Sequence, residues 1–318
     1  MVHTQHLQIS PTDADTYKPS KALLAAINTA LFLQRPLLLS GEPGSGKTEC
    51  ASFIARQLNI LYPYMFTYPQ SLRFNTKSTS QSSDLFYSYD AVLHFADKTN
   101  QPKESFISFN SLGVSILATN PVNEQYRKFR NFDTAVLSKK PVFGSVVLID
   151  EIDKAPRDFP NDLLAELEKP PFKFNIKELP DFDVTQDLRY PVFIVITSNS
   201  EKGLPDAFLR RCVFHHISFP SPKELLHIVN MSLKSEHLSI EPAIELFTEL
   251  RQKNLSKKPG TSELIDWIAC LQNKLLLDKR LANWRYADEA YKEGIIETLG
   301  IIAKSKADFE LLSREISG

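Results

Sequence analysis

At 318 residues the chain is longer than one compact core usually runs, so a large domain plus a smaller one is the natural organisation. Charge is balanced, with 37 basic and 38 acidic residues for a formal net of −1, which removes any global attraction to nucleic acid or to an anionic membrane surface. Cys50, Cys212 and Cys270 are far apart and form no CxxC pair, so neither a disulfide framework nor a zinc site is indicated and a reducing cytoplasm is expected.

The first ten residues are polar, and the apolar stretch 22–39 is interrupted by Asn28, Gln34 and Arg35. That argues against a signal peptide and against a membrane span. A helix is expected to start near Pro19 or Ser20 and run to Leu33, leading through Arg35-Pro36 into an apolar strand, Leu37-Leu38-Leu39. Directly after it stands Gly41-Glu42-Pro43-Gly44-Ser45-Gly46-Lys47-Thr48. This is a phosphate-binding loop in the setting its chemistry needs: backbone N–H groups converge on anionic oxygens, and the helix that follows aims its positive end at them. Lys47 can reach the terminal phosphates of a nucleoside triphosphate, and Thr48 can ligate magnesium. Three of only ten glycines lie in this loop, where close backbone approach and positive φ are required. The helix it opens is expected over 48–58, with Glu49 in its first turn and Ala51, Phe53, Ile54 and Leu58 as its buried face.

A short strand is expected at 64–67, and the serine- and threonine-rich segment 71–88 reads as a loop that turns aromatic at Phe86, Tyr87 and Tyr89. Helices are expected at 112–118 and 123–137. The run Val146-Val147-Leu148-Ile149 reads as a buried parallel strand ending in Asp150-Glu151, the end of the sheet at which open α/β folds bind ligands. A helix over 159–168 stops at Pro170-Pro171, and a polar excursion extends to Tyr190. A second buried strand, 192–196, ends in Thr197-Ser198-Asn199, and a short helix carrying Arg210 and Arg211 leads to a last strand at 213–219. From Ser221 onward only helices are expected, at 222–233, 242–252, 262–277 and 289–304. The chain therefore reads as an α/β domain over 1–221, a parallel sheet flanked by helices, followed by a small all-helical domain over 222–318.

The polar strand ends narrow the chemistry. Asp150 is placed to hold the magnesium hydration shell, Glu151 to polarise a water for attack on the γ-phosphate, and Asn199 to hydrogen-bond that water or the phosphate. A guanidinium from Arg210 or Arg211 would neutralise charge developing on the transferred group. Being remote from its own phosphate loop, it would serve a neighbouring subunit. His215-His216 has no accompanying histidine cluster and reads as structural, as do Trp267 and Trp284. No Asn-Lys-x-Asp guanine signature is present. No basic, aromatic-interleaved patch supports a nucleic-acid motor.

The phosphate loop, Val-Leu-Ile-Asp-Glu-Ile-Asp-Lys-Ala from Val147, Ile-Thr-Ser-Asn from Ile196 and Leu-Pro-Asp-Ala-Phe-Leu-Arg-Arg-Cys from Leu204 resemble the motifs of the AAA+ ATPases, in that family's order, and specifically of the MoxR branch. The resemblance covers about 17–267. It implies Lys47, Thr48, Asp150 and Glu151 as the Walker residues, Asn199 as the sensor-1 residue and Arg210 or Arg211 as a trans-acting finger, with ATP and Mg2+ as cofactors. It further implies a homo-oligomeric ring, commonly a hexamer, with the helical domain moving as a lid. A protein client, a partner bearing a von Willebrand factor A domain, and pore-facing inserts within 74–90 and 172–190 are implied as well. The chain departs from many relatives at Gly260-Thr261-Ser262-Glu263-Leu264, where no sensor-2 arginine stands. Lys257 or Lys258 could substitute electrostatically, without the planar fork of arginine.

Overall fold

The computed structural model describes residues 7–10, 17–66, 68–120, 128–129, 144–167, 170–200, 203–233 and 239–318. The chain divides into two compact units, Met1–Gly41 with Gly46–Ile217, and Ser218–Gly318 with the loop residues Glu42–Ser45.

In the first unit, helix α1 (Lys21–Leu33) opens where the Ser20 hydroxyl accepts from the Leu23 N–H and closes on Gln34, which adopts the left-handed region at φ 53°. It leads into strand β1 (Leu37–Ser40), the phosphate loop and helix α2 (Lys47–Leu61). Then come β2 (Leu72–Asn75), β3 (Tyr87–Tyr89), α3 (Ala91–Ala96), β4 (Ile107–Phe109), α4 (Ser111–Ala118), β5 (Ser145–Asp150) and α5 (Phe159–Glu166). The unit ends with β6 (Lys173–Ile176), β7 (Leu179–Thr185), β8 (Val192–Ser198), α6 (Asp206–Leu209) and β9 (Val213–His216).

Five strands form one parallel sheet in the order β2-β5-β8-β1-β9. Its apolar runs alternate between two cores, as a parallel sheet covered on both faces requires. Leu37, Leu39, Val146, Leu148, Phe193 and Val195 pack with α1 and α2. Leu38, Val147, Ile149, Ile194 and Ile196 pack on the other face with α4, α5 and the hairpins. The α/β sheet read from the sequence is therefore present, flanked by helices.

Several local expectations are corrected. Residues 64–66 form no strand: the Phe66 carbonyl accepts from Asn59 of α2 at 2.7 Å, and the buried Phe66 ring packs in the α1–α2 core. The edge strand is instead β2, whose inward Phe74 stacks on Phe159. The serine-rich stretch is not an open loop. It contains β2, a 3-10 turn at Ser82–Leu85 and the start of an antiparallel β3–β4 pair. Between those strands stands α3, which buries none of its residues and exposes Val92 and Phe95. The excursion before Tyr190 is an antiparallel β6–β7 hairpin. The helix expected at 123–137 lies outside the described residues except Lys128 and Phe129.

In the second unit, α7 (Pro222–Leu233), α8 (Glu241–Gln252), α9 (Thr261–Asn273), α10 (Glu289–Ile296) and α11 (Lys306–Ser317) surround a core of Phe247, Trp267, Leu271, Trp284 and Ile295. No strand occurs among its described residues. Trp267 is fully enclosed, and its indole N–H donates to Thr298 Oγ1 at 2.7 Å, which explains a polar-edged ring in an apolar core. The expected 289–304 helix breaks after Ile296 into a 3-10 turn at Leu299–Ile301, and α9 stops at Asn273. Helix α11 was not expected. Its start is marked by Ser305, whose hydroxyl accepts from the Asp308 N–H at 3.1 Å.

Candidate functional site

Parallel register brings the critical strand ends together. Ser40 of β1 lies beside Ser198 of β8, and Ile149 of β5 lies beside Ile196 of β8. Gly41, Asp150, Thr197 and Asn199 thus emerge along one edge of the sheet, where strand carbonyl ends and a helix start create an anion-binding crevice. Gly46 caps α2 in the left-handed region at φ 88°, a conformation that favours glycine, and a Cβ there would stand 3.3 Å from the Tyr17 ring.

Lys47 is the first residue of α2 and is 7 % exposed. Its ammonium donates to the Gly41 carbonyl at 2.7 Å and to Asn199 Oδ1 at 2.9 Å. An ammonium turned into the loop by two acceptors is positioned for phosphate oxygens that approach the same N–H groups. Asn199 is held in turn by its own N–H, which donates to Asp153 Oδ1 at 3.0 Å.

Asp150 is 4 % exposed and is met from three directions. The Thr197 hydroxyl donates to Oδ1 and the Arg73 guanidinium to Oδ2. The Thr48 hydroxyl lies 3.4 and 3.5 Å from the two oxygens. Thr197 also accepts from the Glu151 N–H at 2.9 Å, so a single hydroxyl ties the acidic pair to the next strand. Thr48 and Asp150 together offer hard oxygen donors on one side of the loop, a set that suits a magnesium ion. Among the described residues no group of three or more His, Cys, Asp or Glu could hold a metal alone.

Glu151 is placed differently. Its backbone lies in the left-handed region at φ 56° and ψ 52°, unusual for a residue with a side chain and a form of strain that collects at functional sites. Its half-buried carboxylate pairs with Lys154 at 2.5 Å. The hydrogen bond to Glu151 is also the first cause holding Lys154 above its ordinary range.

Arg210 and Arg211 follow α6 and are both exposed; Arg211 donates to the Ala207 carbonyl at 3.2 Å. Val213 beside them pairs with Leu37, where the strands begin. The two arginines therefore stand at the opposite end of the sheet from Gly41 and Asn199 of their own chain. His215 and His216 flank the sheet edge, where His216 Nδ1 lies 3.4 Å from Ser40 Oγ; burial lowers His215 below its ordinary value.

Within the second unit, Glu42 of the loop pairs with Arg251 of α8, and Lys258 lies 3.9 Å from the same carboxylate. The Thr261 hydroxyl donates to the Gly44 carbonyl at 2.6 Å. Gly44 has φ 76°, and a Cβ there would stand 2.8 Å from Gly260 Cα. Lys257 has no contact with the loop among these pairs, whereas Arg251, which stacks over Phe219 at 3.5 Å, does.

Sequence reasoning missed Arg73, Thr197, Asp153, Lys154 and Arg251 as partners of these groups. Thr197 and Lys154 stand inside the quoted motifs and carried a readable signal. Arg73 carried none, because its strand was expected eight residues earlier.

The family described as "ATPase family associated with various cellular activities (AAA)" matches residues 37–221, more than half of the chain. No curated protein matches. Among solved structures the chain is similar to a closed-state cryo-EM reconstruction of Hsp104 with ATPyS and FITC casein, at 19 % identity and a TM-score of 0.40. That likeness covers 82 % of this chain and 45 % of the other, so the chain spans less than half the length of that protein. No described helix is long and apolar enough to cross a membrane.

Proposed function

This chain belongs to the AAA family of ATPases, and from that premise we propose that it binds ATP with Mg2+ and hydrolyses it at the boundary between identical subunits to remodel or activate a protein client. The observation that carries the reading is the convergence of Lys47, Asn199, Thr197 and Asp150 at adjoining strand ends. In this reading the loop N–H groups and Lys47 hold the β- and γ-phosphates, while Thr48 and Asp150 hold Mg2+, whose chemistry is to neutralise charge on the phosphate oxygens. Asn199 orients the attacking water and Glu151 accepts its proton. For this the Glu151 carboxylate must leave Lys154.

Arg210 or Arg211 of a neighbouring subunit would complete the site, since neither lies at the strand ends that hold their own chain's Lys47. Such an arrangement requires a homo-oligomer, and a MoxR-type hexameric ring is the assembly proposed. The exposed Val92 and Phe95 of α3 and the β6–β7 hairpin are the proposed client contacts. A partner with a von Willebrand factor A domain, a division into domains 1–221 and 222–318 and a cytoplasmic location complete the proposal. Lys47→Ala should abolish ATP binding, whereas Glu151→Gln should bind ATP and fail to turn it over. Undiminished steady-state hydrolysis in both would sink the assignment.

One observation favours a second reading, a nucleotide-gated binding module with little turnover: the Glu151 carboxylate is engaged by Lys154. Single-turnover measurements separate the two. Release of phosphate from bound ATP within minutes supports the hydrolase, and retention of intact ATP over hours supports the module.

A further inference from the structure

Arg73 belongs to no motif, yet its guanidinium donates to Oδ2 of Asp150, the carboxylate proposed above to hold magnesium. The strand register explains how it gets there. Asn75 of β2 lies beside Asp150 of β5 and the Thr76 N–H donates to the Asp150 carbonyl at 3.1 Å, so the residue two positions before Asn75 can lean along the strand to the acidic tip. The backbone is fixed there: the Ser111 hydroxyl of α4 donates to the Arg73 carbonyl at 2.6 Å. The side chain is not enclosed. It is 49 % exposed, against 5 % for its partner, and it lines a cleft of about 760 Å³ with Tyr68, Asn75, Lys77, Ser88 and Ser111.

Three donors meet Asp150, but they are not equivalent toward a cation. Thr197 occupies Oδ1 and stays compatible with metal binding, because a hydroxyl that orients a carboxylate leaves its other oxygen available. Arg73 holds Oδ2 with a full positive charge, which repels a second cation brought to the same carboxylate, whether directly or through its hydration shell. Thr48, the other proposed magnesium donor, approaches the same pair of oxygens. Metal loading therefore requires the guanidinium to turn away, and the adjoining cleft gives it solvated space into which to turn.

We propose that Arg73 is a positioning residue that competes with Mg2+ for Asp150, so that the concentration of Mg2+ needed to load nucleotide is set by an arginine on the edge strand. The inference rests on the ATP and Mg2+ reading above. It predicts that removing the arginine makes magnesium easier to bind without adding a ligand.

The test is a magnesium titration of binding by a fluorescent ATP analogue, read by anisotropy with no turnover required, on full-length wild type, Arg73→Gln, Arg73→Lys and Lys77→Ala. Arg73→Gln should lower the Mg2+ midpoint about fivefold, the factor expected when a partly exposed ion pair is released. Arg73→Lys should lower it by less, because a point charge keeps the attraction and loses the fork. Lys77→Ala, which lines the same cleft without touching Asp150, should leave it unchanged. An unchanged midpoint in Arg73→Gln, or a raised one, overturns the proposal. Should Arg73→Gln not fold, the Arg73→Lys shift decides alone: a lowered midpoint supports the competition and an unchanged or raised one overturns it. If wild type itself binds no analogue at any Mg2+ concentration, it is the ATP reading that has failed.

Discussion

The two ends of the parallel sheet carry charge in opposite ways. Where β1, β5 and β8 end, Lys47, Asp150, Asp153 and Asn199 are tied to one another or to Thr197 and Arg73, and the lysine and Asp150 are nearly enclosed. Where β9 begins, Arg210 and Arg211 stand exposed, and among the described residues the Arg211 guanidinium donates to the local Ala207 carbonyl. Desolvated charges must be paired to be tolerated, whereas solvated arginines can wait for a partner. On the proposed reading the first end receives the nucleotide, and the second is the one offered to a neighbouring chain.

Substitutions should expose this contrast in graded fashion. Lys47→Ala and Glu151→Gln, at the organised end, should each cut hydrolysis by at least about a hundredfold, with nucleotide binding lost in the first and kept in the second. Filter binding with radiolabelled ATP separates them. At the other end, alanine in place of the effective arginine should cost about a thousandfold in turnover while ATP affinity changes little, because a finger acts on the transition state. Comparing Arg210→Ala with Arg211→Ala identifies which residue it is; equal, wild-type turnover in both and in the double variant would remove the contrast.

A smaller effect is expected at the strained acidic tip. Lys154→Ala frees the Glu151 carboxylate and should change turnover by a few-fold with ATP affinity preserved. A loss of ATP binding in that variant would show that the lysine holds the loop rather than the glutamate.

The smallest effect concerns Glu166 of α5, whose pKa burial pushes up to about 7, helped by Asp162 and opposed by Lys177. One of its carboxylate oxygens is buried without a hydrogen-bond partner among the described residues. Its ordinary value is 4.5, so the folded chain holds a proton that the unfolded chain has already lost. Stability should therefore fall as pH rises from about 4.5 to about 7 and stay low above that. Glu166→Gln should gain roughly 1 kcal/mol at pH 8, allowing for partial solvent screening, and nothing at about pH 4. Thermal unfolding at both pH values checks it; the same difference at each would refute the assignment.

How much of this could be read from the chain varies with the physics of each element. The phosphate loop, β5 and β8 were legible because contiguous apolar runs and obligatory glycines encode them locally. Asp150 and Asn199 were legible as strand tips. Arg73 was not, since its strand has only four residues with alternating exposure, and its value comes from pairing with a strand more than seventy positions away. The β3–β4 and β6–β7 pairs were hidden for a related reason: in segments this polar, strand formation depends on cross-strand partners rather than on intrinsic preference. In the helical unit, 289–304 read as one helix because its apolar residues keep helical spacing, yet the backbone turns at Glu297 to Thr298, where the buried Thr298 hydroxyl receives Trp267.

The central claim, that the site of one chain is completed by the arginine of another, is tested most directly by mixing two inactive variants, the Arg210→Ala/Arg211→Ala double variant and Glu151→Gln, and measuring ATP hydrolysis. The first keeps its phosphate loop and Glu151 and the second keeps its arginines, so mixed assemblies should recover a substantial share of wild-type turnover. A mixture as inactive as either parent, in assemblies shown to contain both chains, would contradict it.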